Sequence, residues 1–193
     1  KFNIKYPKTY YATNKEEIIE KSKNFNVPFI TKHNRGGKGL GVKYFKNIFE
    51  IKKYLREDFD DSVDGITLLQ EYIVSDPKVI TRIEFIKGKF LYAVQVDASD
   101  GFELCPADKC NTDEKFCPAN PDGNKFMILK NYKNPEIKKY ENLLNSNGIE
   151  IAGIEYIKGK DGINYTYDIN TNTNYNSIAE GKSEFKGMDS IAN

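Results

Sequence analysis

The stretch Gly153-Ile154-Glu155-Tyr156-Ile157-Lys158-Gly159-Lys160-Asp161-Gly162-Ile163-Asn164-Tyr165-Thr166-Tyr167-Asp168-Ile169-Asn170 decides how this chain is read. Two runs rich in β-branched and aromatic residues flank the turn signal Lys160-Asp161-Gly162. They predict a hairpin with strands over Ile149–Ile157 and Asn164–Asn170. If the hairpin is symmetric about its turn, Ile157 faces Thr166 and Glu155 faces Asp168. Directly opposed residues have Cβ atoms roughly 4.5–5.5 Å apart. Asn170, two residues beyond Asp168, lies on the same face. Two carboxylates and an amide oxygen therefore converge on strands that are otherwise apolar or aromatic. Opposed like charges are unfavourable in a sheet, and burial worsens this. Either one carboxyl is protonated or a cation sits between them, and hard oxygen donors suit Mg²⁺. Chance pairing is the competing explanation, since the chain holds 28 acids in 193 residues.

Outward from this hairpin, helices and mostly antiparallel strands interleave, which predicts an α+β fold in two lobes. Asn14 with Glu17, and Asn47 with Glu50, are capping-box patterns opening helices to about Asn24 and Arg56. Val27–Lys32, Val42–Phe45 and Ile66–Ile73 read as strands. Val79–Ile86 and Phe90–Val96 form a hairpin turning at Lys87-Gly88. Asp97–Lys125 is a long loop, of the kind that is usually functional or mobile. Asn134-Pro135-Glu136 combines an N-cap, a first-turn Pro and a first-turn acid, opening a helix to about Asn145. A last helix begins near Glu184.

Between two of these strands lies Asn34-Arg35-Gly36-Gly37-Lys38-Gly39-Leu40-Gly41. Its glycines let backbone N–H groups approach an anion, and Lys32, Arg35 and Lys38 add positive charge. The loop suits phosphates, although a solvated hairpin tip remains the alternative. It is not a P-loop, because no Gly-Lys-Ser or Gly-Lys-Thr closes it, and Val42 breaks the dinucleotide-binding spacing.

Composition narrows the classes further. The chain is 39% hydrophobic and 30% charged, so it can bury a core. Lys plus Arg number 29 against 28 Asp plus Glu, a net charge of +1. That argues against nucleic acid or a membrane surface as a partner held by bulk charge. No run is long and apolar enough to span a bilayer, and Lys1–Lys8 is no signal peptide. Cys105, Cys110 and Cys117 in the long loop read as reduced thiols, and a cytoplasmic location is expected. The single histidine, His33, excludes a His-rich metal site. Its place beside Lys32 leaves both phosphate contact and a structural role open.

Taken together, the motifs resemble the ATP-grasp superfamily over nearly the whole chain. Pro28-Phe29-Ile30-Thr31-Lys32 with Gly36–Val42 resembles its first ATP-binding strand and glycine-rich loop. Leu68-Leu69-Gln70-Glu71-Tyr72-Ile73 resembles its adenine hinge strand. Thr81-Arg82 followed by Lys87-Gly88-Lys89 resembles its phosphate-binding arginine hairpin. Gly153-Ile154-Glu155-Tyr156 and Tyr167-Asp168-Ile169-Asn170-Thr171-Asn172 resemble its magnesium strands. The nearest branch is that of glutamate ligases, ribosomal-protein-modifying (RimK-like) enzymes and amino-acid-adding ligases.

The resemblance implies an ATP-grasp fold whose two α+β lobes, residues 1–75 and 76–193, grip ATP between antiparallel sheets. Lys32 contacts the α-phosphate and adenine edge. The loop backbone of Gly36, Gly37, Lys38, Gly39, Leu40 and Gly41 covers the β- and γ-phosphates, and Arg35 is a further ATP-binding residue. Gln70, Glu71, Tyr72 and Ile73 meet the adenine, and Asp76 meets the ribose. Arg82 neutralises the phosphate in flight. Glu155, Asp168 and Asn170 hold one or two Mg²⁺, with Mn²⁺ as an alternative ion. Asn174, Asn176 and Ser177 face the acceptor or the acyl-phosphate.

The implied activity is ATP-dependent carboxylate–amine ligation through an acyl-phosphate, releasing ADP and phosphate. The amine belongs to a small molecule, a peptide or a protein terminus, and the oligomeric state is open. A kinase acting on a hydroxyl and a non-catalytic nucleotide-binding module are the alternatives. The family's N-terminal domain and its lysine-bearing helix have no counterpart before Ile4, which implies a fragment or a chain that borrows these parts from a partner.

Overall fold

The computed structural model describes residues 1–26, 28–36, 41–98, 126–173, 175, 180–181, 184 and 186–192, with residue 126 described by its backbone alone. The described residues fall into two compact units. One holds Tyr6–Ile73; the other holds Lys1–Lys5 and the chain from Val74 onward.

The first unit is a four-stranded antiparallel sheet with two helices. Its strands β1 (Thr9–Ala12), β2 (Phe29–His33), β3 (Lys43–Phe45) and β4 (Thr67–Glu71) run in the order β1-β4-β2-β3. Both helices begin as the capping pattern predicts. In α1 (Lys15–Ser22), the Asn14 side chain accepts from Glu17 N at 2.8 Å, and Glu17 Oε2 accepts from Thr13 N at 2.8 Å. In α2 (Ile48–Glu57), Asn47 Oδ1 accepts from Phe49 N and Glu50 N at 2.9 and 3.2 Å. Each cap satisfies backbone donors that a helix start leaves without a partner. Ile18, Ile51 and Leu55 from the helices pack on Ala12, Phe29, Phe45 and Leu69 of the sheet. Alternation along β2 and β4 therefore puts Ile30, Lys32, Leu68 and Gln70 on the face away from the helices.

The second unit is a five-stranded antiparallel sheet of order β7-β6-β5-β8-β9. Its strands are β5 (Val79–Ile86), β6 (Lys89–Asp97), β7 (Phe126–Ile128), β8 (Ala152–Lys158) and β9 (Asn164–Asn170). β7 is an addition to the sequence reading, recruited by pairing with β6 over Val94–Val96. At Lys87-Gly88 both residues take positive φ, 53° and 66°, as a tight hairpin turn requires. Helix α3 (Glu136–Ser146) starts where Asn134 Oδ1 accepts from Glu136 N at 2.9 Å, Pro135 being already helical. Its Tyr140 and Leu144 pack on Ile83, Phe85, Ala93, Ala152, Ile154 and Tyr156. A short helix α4 (Gly187–Ala192) ends the described chain.

The β8–β9 hairpin corrects one expectation. Glu155 does lie opposite Asp168, but Ile157 pairs with Tyr165 instead of Thr166, because the register shifts between Glu155 and Tyr156. The shift is a β-bulge that places an extra residue on β9. Its cause is visible on both faces. Thr166 turns toward α3 and shares a 2.7 Å hydrogen bond with the buried Tyr140 hydroxyl. Tyr167 turns the other way and donates to Glu155 Oε2 at 2.9 Å.

Leu144→Ala is expected to destabilise the second unit by about 2–5 kcal/mol, as for other fully buried leucines. Asn47→Ala is expected to cost the first unit about 1 kcal/mol. Amide hydrogen exchange reads the two separately: faster exchange in β5, β6 and β8 for the former, and in α2 with β2–β4 for the latter.

Candidate functional site

On the face of the second sheet turned away from α3, β5 contributes Arg82 and Glu84, and β8 contributes Gly153 and Glu155. Arg82 pairs with Glu155 and Glu84 with Gly153. β9 adds Asp168 opposite Glu155 and Asn170 opposite Gly153. The two acids and the amide that the sequence singled out thus share one face with the arginine.

Arg82 is the hub of this face. Its Nε donates to Glu84 Oε1 at 2.6 Å, its Nη2 to Thr173 Oγ1, and its Nη1 reaches Glu155 Oε1 at 3.5 Å. The Thr173 hydroxyl donates in turn to Glu84 Oε2 at 2.9 Å. The guanidinium lies against Gly153, where a Cβ would stand 2.7 Å from Nε and 2.9 Å from Nη2. Only glycine leaves that space.

Burial opposes the Arg82 charge, yet the carboxylates of Glu84 and Glu155 outweigh it and its pKa rises above the usual arginine value. Glu84 is almost wholly enclosed. Desolvation raises its pKa, with Arg82 and the Thr173 hydroxyl pulling the other way. Tyr167 is pushed well above the ordinary phenol range, by burial first and by the Glu155 carboxylate next. It is therefore a neutral donor to Glu155.

Among the described residues, Glu84 and Glu155 form ion pairs with the guanidinium of Arg82, and Asp168 lies across the strand from Glu155. Among the described residues, no three His, Cys, Asp or Glu side chains gather as a metal site. The candidate set is two carboxylates and an amide, all hard oxygen donors that share one face of the sheet. That donor chemistry fits Mg²⁺, which binds through one or two carboxylates and keeps water and phosphate as its other ligands.

In the first unit, Lys32 is half-buried on the helix-free face opposite Leu68, and Gln70 is buried opposite Ile30. Gln70 Nε2 donates to Thr9 Oγ1 at 3.0 Å. Glu71 N donates to Lys8 O at 2.9 Å, and Tyr72 N to Pro28 O at 3.0 Å. The Tyr72 ring meets Tyr44 edge-on with centroids 5.0 Å apart, and Ile73 is half-buried. Arg35 and Gly36 are exposed. Gly41 takes a φ of +77° beneath the His33 ring, which a Cβ there would approach to 3.0 Å. His33 Nε2 lies 3.1 Å from Asp60 O, so the ring is packed into its own unit. Asp76 is exposed, in the second unit. Gly37, Lys38, Gly39 and Leu40, and likewise Asn174, Asn176 and Ser177, lie outside the described residues, as do Cys105, Cys110 and Cys117.

The sequence reading did not single out Glu84, Thr173 or Tyr167 as site residues. The signal for Glu84 was present, since it stands two residues after Arg82 and so shares its face. Thr173 lies beyond the strand, and Tyr167 joins the face through the bulge. Neither follows from alternation.

No protein-family model matches the chain. No curated protein matches it by sequence. Solved structures do match. D-cycloserine synthetase DcsG has a TM-score of 0.65 at 12% identity, over 98% of this chain and 63% of that one. D-alanyl-alanine synthetase A of Vibrio cholerae has a TM-score of 0.63 at 13% identity, over 99% and 59%. A RiPP-associated ATP-grasp ligase of Chryseobacterium gregarium, solved with ADP and a leader and core peptide, has a TM-score of 0.62 at 18% identity, over 99% and 54%. A further match, the ATP-grasp ligase PsnB, was solved with Mg and ADP. The chain spans between about half and two thirds of the length of these proteins. At such identities the likeness speaks for architecture, and the chain has the ATP-grasp fold.

Proposed function

We propose that this chain is the ATP-binding part of an ATP-dependent carboxylate–amine ligase of the RimK-like kind, with an amino acid, peptide or protein terminus as the acceptor. The observation that carries the reading is the acidic face of the second sheet, where Glu155 and Asp168 oppose each other beside Arg82. The matched ligases that were solved with nucleotide, magnesium and peptides support it.

In this reading Lys32 and Gln70, on the helix-free face of the first sheet, meet the nucleotide. Arg35, Gly36 and Gly41 belong to the phosphate loop together with Gly37, Lys38, Gly39 and Leu40. Glu71, Tyr72 and Ile73 line the adenine, and Asp76 meets the ribose. Asn174, Asn176 and Ser177 contact the acceptor side. Glu155, Asp168 and Asn170 would hold Mg²⁺, which would supply Lewis-acid neutralisation of phosphate charge.

The chemistry is a double displacement. A carboxylate oxygen of the substrate bonds to the γ-phosphorus as the bond to the β-bridging oxygen breaks, giving an acyl-phosphate and ADP. The amine nitrogen then bonds to the acyl carbon, phosphate leaves, and the nitrogen gives up a proton. The protein's share is placement and charge neutralisation, with Arg82 facing the transferred group.

Mg-ATP at about a hundred times its Kd is expected to stabilise the protein by about 2.7 kcal/mol, a rise in Tm of roughly 5–10 °C for a chain of this size. Asp168→Asn and Lys32→Ala are each expected to remove at least half of that rise while leaving the nucleotide-free Tm within about 2 °C. A thermal scan that does not respond to any nucleotide would sink the reading. Product analysis then fixes the reaction class: ADP, phosphate and an amide for a ligase, and a phosphoester for a kinase. Nucleotide binding that never leads to ADP release would mark a module without turnover.

A further inference from the structure

The five N–H groups of Arg82 are used unequally. The side edge, Nε with Nη2, is gripped by Glu84 at 2.6 Å and by Thr173, and Thr173 is itself tied to Glu84 at 2.9 Å. These three groups form a closed ring in which every polar atom has a partner. The end edge, Nη1 with Nη2, has one long contact, 3.5 Å to Glu155 Oε1. A 3.5 Å contact lies at the outer limit of hydrogen bonding and is the first to yield. Glu155 Oε2 is meanwhile held by the Tyr167 hydroxyl at 2.9 Å. Gly153 supplies the room in which the planar group lies.

We infer that Glu84, Thr173 and Gly153 are positioning residues that lock the side edge of Arg82 and so present its end edge, in one fixed direction, to the terminal phosphoryl group of a nucleoside triphosphate. This deepens the proposed function and rests on it. The long Glu155 contact is then the exchangeable one: a phosphoryl oxygen arriving at Nη1 can replace it without disturbing the side edge. A guanidinium bound along one edge keeps its other fork pre-ordered, so little rotamer freedom is lost when the phosphate arrives. A lysine at position 82 could not do this, because its ammonium has no second edge.

The role also explains why an acid sits almost completely buried beside the arginine. Glu84 has a relative exposure of 2% and touches nothing that a nucleotide would reach directly through it. Its two oxygens are spent on Arg82 and Thr173.

The test is the ratio of ATP to ADP affinity, measured by calorimetry with Mg²⁺ on the full chain. Arg82→Ala is the reference, and it should lower the ratio by roughly tenfold or more, as loss of a charged hydrogen bond does. Thr173→Val should lower it by a similar factor with ADP affinity nearly unchanged, and Thr173→Ser should restore it to within about twofold. Gly153→Ala displaces the guanidinium while leaving both anchors in place, and it should give the same loss; it serves as the independent variant if Thr173→Val does not fold. If Arg82→Ala alters the ratio but neither Thr173→Val nor Gly153→Ala does, the positioning role is wrong and the ligase reading stands. If Arg82→Ala leaves the ratio unchanged, the phosphate role of Arg82 falls, and this inference falls with it.

Discussion

The ion pair between Arg82 and Glu84 constrains everything around it. A guanidinium that is mostly removed from water must be matched by anions and hydrogen-bond acceptors, or it leaves the sheet. Glu84 and Glu155 supply the anions from β5 and β8, and both are fixed by antiparallel pairing. Among the described residues, two enclosed carboxylates share the Arg82 cation, and Asp168 stands across the strand from Glu155. Tyr167 and Thr173 add hydrogen bonds, their hydroxyls donating to Glu155 and Glu84. Gly153 is the steric counterpart, because any side chain there would fill the space the guanidinium occupies. One charge therefore accounts for a glycine and a threonine that share no local sequence pattern.

The same division of labour recurs in each unit. In the first, helix residues Ile18, Ile51 and Leu55 cover one face of the sheet and leave Lys32 and Gln70 on the other. In the second, Tyr140 and Leu144 of α3 cover one face and leave the charged cluster on the other. Period-two alternation allows a strand to serve a dry core and a polar face at once. Stability and chemistry are thus carried by alternate residues of the same strands. Ile83 and Ile154 anchor the core, while their neighbours Arg82 and Glu155 form the cluster.

Much of this was legible beforehand, for reasons that differ by element. The capping patterns at Asn14 and Asn47 are local, four residues long and chemically complete, and the helices start there. The facing of Glu155 and Asp168 followed from turn position and alternation, and it holds. The pairing of Ile157 with Thr166 followed from the same argument and fails. Its failure comes from a distant partner: the enclosed hydroxyl of Tyr140 needs a hydrogen bond, and Thr166 rotates out of alternation to supply it. No window over the hairpin contains that information. β7 was missed for a similar reason, since three residues become a strand only because β6 offers them an edge. The candidate metal ligands were visible as isolated letters, whereas the anchors of Arg82 became visible only once β5 and β8 were laid side by side.

The weak sequence likeness to the matched ligases has a physical basis. Sheet order and helix packing tolerate wide exchange among apolar residues of suitable volume, so a backbone can persist at 12–18% identity. Fold likeness alone accordingly leaves chemistry undecided. What distinguishes a charged site from a bare shell of the same architecture is the presence of features that cost stability. An enclosed acid, a guanidinium with one edge engaged and a glycine held open beneath it all reduce stability relative to an apolar face. A chain that needed only the architecture would have no reason to keep them. Around Arg82 each feature is accounted for by the arginine's orientation and none of them by the packing of the core.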